Sequence, residues 1–137
     1  MTTWAAACGM LLLGCSMEAQ QDGIWTGHQA AHPMRHADGR VRTMPDGTPI
    51  QLAGGTFTIE LGEDGRIAVE RKLDDGRAFS YVGQCVASES GWACTAEDGV
   101  GVPLVFDLVF AADGRSGEYR SRGYDPAFEL TPVSAAP

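Results

Sequence analysis

Along most of this chain apolar and polar residues alternate in short runs separated by turn-forming pairs. Phe57, Ile59 and Leu61 share one face of the run 55–61, and Ile67 and Val69 share one face of 66–72. A period of two is the signature of a half-buried strand, and Glu63-Asp64-Gly65 between the runs predicts a hairpin. Asp-Gly pairs recur at 22–23, 38–39, 46–47, 64–65, 75–76, 98–99 and 113–114, where they supply the positive φ angles that tight turns require. The same reading predicts strands over 23–29, 77–87, 91–97, 102–110, 115–122 and 128–133. A smaller hairpin, 41–44 with 48–52, decorates the first long connection. No window carries a helical period, and Pro33, Pro45 and Pro49 interrupt the one stretch that approaches it.

Eight antiparallel strands in sequence-neighbour order, each with one apolar face, predict an all-β fold: a small up-and-down β-barrel, whose closure removes exposed edges. A turn at Glu89-Ser90 sets Cys85 opposite Cys94 and Ala87 opposite Trp92, at sites where side chains approach most closely. Phe79, Tyr81, Cys85, Trp92 and Cys94 then share one face. The Cys85/Cys94 pair is expected to be a structural disulfide.

Ahead of this domain the pattern changes. The run from Trp4 to Gly14 has no charged side chain and is shorter than the ~20 residues of a membrane-spanning helix. It fits the apolar core of a secretory signal, although no Lys or Arg precedes it. Leu12-Leu13-Gly14-Cys15 resembles the lipobox of bacterial lipoproteins. That resemblance implies removal of residues 1–14, acylation of Cys15, a lipid bilayer as partner, and a tether over 15–22 before a barrel domain at 23–133 and a tail at 134–137. Ser16, in place of the aspartate that retains such proteins in the inner membrane, implies an outer-membrane anchor facing the periplasm. An oxidising periplasm suits the disulfide. Gly23-Ile24-Trp25 is similar to the Gly-x-Trp start of lipocalin-type barrels, where the Trp plugs the closed end. Size and the single cysteine pair also resemble the small barrel lipoproteins that inhibit lysozyme, although their inhibitory loop has no match here.

Charge narrows the partners. With 10 Lys and Arg against 18 Asp and Glu, the chain carries a formal charge of −8, which argues against nucleic acid and permits a basic protein partner. Nine of the ten cations are arginine, which reads as genome composition.

Three constellations invite a chemical reading. His28, His32 and His36, beside Met34 and Asp38, carry donors suited to zinc or copper, or else belong to a solvated loop. The strand 102–110 is apolar on both faces, and Val105 and Val109 join Val82 and Val86 on the outside. Either residues 30–53 fold over these valines or they form a protein-contact patch. Arg71 falls on the inward side of its strand near an end, placed to meet an anionic ligand or a rim carboxylate. No serine sits in a nucleophile turn and no glycine loop cradles phosphate, so the expected function is binding rather than catalysis. Its target is a protein partner or a small apolar ligand inside the barrel. Aromatic residues at many inward positions, Phe57, Phe79, Trp92, Phe106 and Phe128, favour a filled interior and hence the protein partner.

Overall fold

The computed structural model describes residues 23–133; the lipobox, the tether and the tail lie outside the described residues. Ten strands follow in order: β1 (Gly23–Gln29), β2 (His32–Pro33), β3 (Gln51–Leu52), β4 (Gly55–Leu61), β5 (Arg66–Leu73), β6 (Ala78–Ser88), β7 (Gly91–Glu97), β8 (Pro103–Phe110), β9 (Gly117–Ser121) and β10 (Phe128–Pro132). Eight of them close into an antiparallel barrel in the order β1-β10-β9-β8-β7-β6-β5-β4, and β2 pairs with β3 apart from it. The seam is made by β1, which pairs Trp25 with Ile59 of β4 and with Pro132 of β10. Gly27 marks the close approach there: a Cβ would collide with the Glu129 carbonyl and come within 2.8 Å of the Phe128 ring.

The alternation seen in the sequence sorts side chains as expected. Trp25, Phe57, Ile59, Leu61, Ile67, Val69, Tyr81, Cys85, Cys94, Phe106, Leu108, Tyr119 and Leu130 all point inward and are buried. Phe57, Tyr119, Phe128 and Phe106 form a connected aromatic core. Tyr119 stacks at 4.7 Å on both Phe106 and Phe128, and Phe57 lies tilted at 5.0 Å from Tyr119 and 4.9 Å from Phe128. Trp25 lies 4.7 Å from Phe110. By topology that contact belongs to the end of the barrel that carries the 62–65, 89–90 and 111–116 turns.

Turn chemistry sets the register. In five connections the glycine of an Asp-Gly pair has positive φ and donates its N–H to the carbonyl three residues back. The aspartate in turn accepts from the N–H two residues on. In Asp38-Gly39-Arg40, Asp64-Gly65-Arg66 and Asp75-Gly76-Arg77 the arginine also pairs with the aspartate, at 2.7, 3.0 and 2.8 Å. Three of the nine arginines thus serve the turns. The 98–99 pair behaves differently. Gly101 takes the positive φ, while Asp98 Oδ1 accepts from both Val100 and Val102, each at 2.9 Å. That longer turn is why β8 starts at Pro103 rather than at 102. Arg77 belongs to its turn rather than to β6 for a similar reason, since its carbonyl accepts from Leu73.

The 41–44 and 48–52 segments form part of a larger excursion. Met34 N–H donates to Ile50, Ile50 to Arg42, and Arg42 to Met34. This cycle joins three segments spaced eight residues apart, with Asp-Gly turns between the first and second and between the second and third. Cys85 faces Cys94 and Ala87 faces Trp92 across a two-residue turn, and the cysteines form a disulfide with a Cα separation of 4.0 Å.

Two outcomes are expected of this scaffold. Closing a loop with a sequence separation of 9 contributes about 2–3 kcal/mol in the chain-entropy model, so reduction should lower stability by that order in a urea titration. The carboxyls of Asp38, Asp46, Asp64 and Asp75 are held below their ordinary range. At Asp38 and Asp64 the leading cause is the N–H two residues on, and at Asp46 and Asp75 it is the side chain of Thr48 or Arg77. A carboxyl whose folded pKa lies below its unfolded value adds stability above the unfolded value and loses it as pH falls through the folded one. Melting temperature should therefore hold steady down to about pH 4 and fall below it, less steeply in Asp64→Asn; an unchanged slope would show that the turn does not contribute.

Candidate functional site

Side chains pack the interior, which leaves the outer surface and the two barrel ends open to other molecules. On the outside, Val82 and Val86 of β6 are 68% exposed and Val105 of β8 is 38% exposed, while Val109 is half-buried. Between the two strands lie Thr95 and Ala93 of β7, paired with Val105 and Val86 respectively. With strands ~4.8 Å apart and a rise of ~3.3 Å per residue, the patch spans roughly 10 by 13 Å.

Residues 30–53 do not cover it, contrary to one of the two expectations. The excursion leaves β1 at the opposite end from the 62–65 turn and packs on the β9–β10 loop instead. Gln29 Nε2 donates to the Pro126 carbonyl at 3.1 Å, a Cβ on Gly39 would meet the Tyr124 ring, and His32 Nε2 lies 3.2 Å from Asp125 Oδ1.

Beside Val82 the outer surface dips into an open groove of about 760 Å³, lined among others by Glu60, Glu63, Asp64, Ala68 and Val82. Ala68 sits between Glu60 and Val82 in the β4–β5–β6 register, giving an apolar floor, and the three acids stand along its rim. Arg66 folds back onto Asp64. The far edge of the valine patch carries a tight ion pair. Arg122 donates from Nε to Asp107 Oδ2 at 2.8 Å and from a terminal nitrogen to Oδ1 at 2.7 Å. That fork lowers the Asp107 carboxyl and raises the Arg122 guanidinium.

The histidines are separated. His28 points outward and pairs with Asp74 at 3.0 Å. His32 is buried and places Nδ1 3.0 Å from the Ala30 carbonyl, and His36 is exposed in the 36–40 turn. Among the described residues no group of three His, Cys, Asp or Glu gathers to hold a metal. His36 instead lines, with Arg35, Arg122, Tyr124 and Asp125, a second, polar groove of about 630 Å³ between the excursion and the β9–β10 loop. Arg71 faces inward as expected, with its guanidinium carbon 5.3 Å from the Phe57 centroid.

Two features escape a one-dimensional reading. The acidic rim beside Val82 depends on the register of three strands; Glu60, Ala68 and Val82 are neighbours only once β4, β5 and β6 are paired. Tyr124 and Asp125 lie in a loop without periodicity, and no local signal marks their contact with residues 32–39.

No protein family, curated protein sequence or solved structure matches this chain.

Gln29 is 2% exposed and ties the excursion's root to the β9–β10 loop. Gln29→Met should cost about 1 kcal/mol, the loss of one buried hydrogen bond, and should speed amide exchange in residues 122–127. Unchanged exchange there would show that the loop is held by other contacts.

Proposed function

We propose that this chain is a non-catalytic binding module of the bacterial envelope, tethered to the outer membrane through acylated Cys15, that holds a basic protein partner on its outer β5–β8 face. The observation that carries the reading is the combination of a filled interior with Val82, Val86 and Val105 exposed beside an acid-rimmed groove. A barrel packed by Trp25, Phe57, Phe106 and Tyr119 leaves little room for a carried ligand, which favours the outside over a lipocalin-like carrier role. Apolar contact area ringed by charge is how protein interfaces are built, and with Asp64 paired to Arg66, Glu60 and Glu63 within a chain of charge −8 select a basic surface.

The tether gives this face a setting. Gly23 opens β1 at the barrel end that carries the 62–65 turn, and residues 16–22 span at most ~25 Å. Anchored at Cys15, the groove beside Glu63 and Asp64 would stand near the membrane and the excursion would point away from it. A partner held in the periplasm close to the bilayer fits this placement.

The test is affinity capture from envelope extract with wild type and with a Val82→Asp, Val105→Asp double variant. Both positions are exposed, so the variant should keep its melting temperature. It should lose the partner by about tenfold or more, the effect of ~1.4 kcal/mol, and the wild-type complex should weaken with salt. Equal capture by the folded variant would move the interface elsewhere, and a co-purified small molecule without a protein would favour the carrier reading.

A further inference from the structure

At the barrel end opposite the 62–65 turn, Arg71 stands on β5 facing inward, opposite Phe57 of β4 and Phe79 of β6. Its guanidinium lies over the Phe57 ring, and its Nε is buried with no hydrogen-bond partner. Among the described residues its side chain forms neither an ion pair nor a hydrogen bond, whereas Arg40, Arg66, Arg77 and Arg122 each fold onto a carboxylate. Among the described residues no rim carboxylate pairs with it, and Asp125 lies against His32. A buried N–H without an acceptor costs free energy, and the contact with Phe57 offsets only part of it. The guanidinium therefore offers a planar fork of donors at the mouth with no acceptor among the described residues.

The surroundings define what fits that fork. Below it, the stack of Phe57, Tyr119 and Phe128 closes the interior, so a ligand stays in the mouth. Burial holds the Tyr119 phenol well above its ordinary pKa, with Arg71 acting against this. A single guanidinium matches a single negative charge better than a double one. A planar carboxylate meets a guanidinium with two parallel hydrogen bonds. Phe57 and Phe79 stand on either side of Arg71 in the register, and exposed Val100 and Val102 lie in the β7–β8 connection at the same end.

We propose that the barrel mouth around Arg71, Phe57 and Phe79 binds a carboxylate carried on a small apolar group. This site lies apart from the outer valine face and does not depend on the reading given to that face.

The experiment titrates the protein with benzoate, with benzamide as the neutral control and with inorganic phosphate, following the Arg71 Nε–H resonance and the binding heat. Benzoate should shift that resonance saturably with a Kd of about 1 mM or tighter, and benzamide and phosphate should bind at least about tenfold more weakly. Arg71→Met should lose benzoate binding while melting at the same or a higher temperature, because it removes an unpartnered buried donor. Arg71→Lys keeps the charge without the fork and should bind about tenfold more weakly. The proposal is overturned by an Nε–H resonance that benzoate does not move, by phosphate binding more tightly than benzoate, or by benzoate affinity that survives in Arg71→Met. Should Arg71→Met not fold, unchanged benzoate affinity in Arg71→Lys overturns it instead.

Discussion

Closure of the sheet is the constraint from which the rest of the structure follows. Once β1 pairs with both β4 and β10, no barrel strand has a free edge, and every second side chain points into an interior with room for little more than side chains at eight strands. The sequence fills those positions with Trp25, Phe57, Phe106, Tyr119 and Phe128 among aliphatic residues. Stacking at 4.7 Å on either face of Tyr119 fixes the order of the rings. A partner strand cannot add to a sheet that has no edge, so contact with another protein is left to outward side chains, grooves and the two ends.

The two ends differ in kind. One is short-looped and packed by Trp25 against Phe110. The other carries the 30–54 excursion, docked on the β9–β10 loop through Gln29 and through His32 beside Asp125, and it leaves the Arg71 guanidinium at the mouth without an acceptor among the described residues. The cyclic hydrogen bonding of Met34, Arg42 and Ile50 lets this excursion hold its shape with little core of its own. Backbone bonds and Asp-Gly turns do there what apolar packing does in the barrel.

Much of this was legible in the sequence, because the barrel is written in local signals. A period of two and an Asp-Gly punctuation located all eight barrel strands, the pairing of Cys85 with Cys94, and the inward face of Arg71. Boundaries shifted where a turn took more residues than the pair suggested, as at Asp98, whose side chain caps two N–H groups and displaces the positive φ to Gly101. What was not legible depends on register across several strands or on irregular backbone. The acids beside Val82 are brought together from β4 and the 62–65 turn, and the placement of residues 30–53 at the barrel end rather than over Val105 is set by contacts with Tyr124 and Asp125. The histidines show the same limit. A spacing of four reads as one face only on a helix, and here the three occupy β1, β2 and a turn.

The central claim is that recognition happens on the outer face of a filled barrel. Methyl-resolved NMR of the isotope-labelled protein, mixed with a partner-containing envelope fraction, tests it most directly. The account predicts broadening at Val82, Val86 and Val105, with the inward methyls of Ile59, Leu108 and Leu130 unchanged. Broadening or shifts at those inward methyls, with the outer valines unaffected, would contradict it and place the bound species inside the barrel.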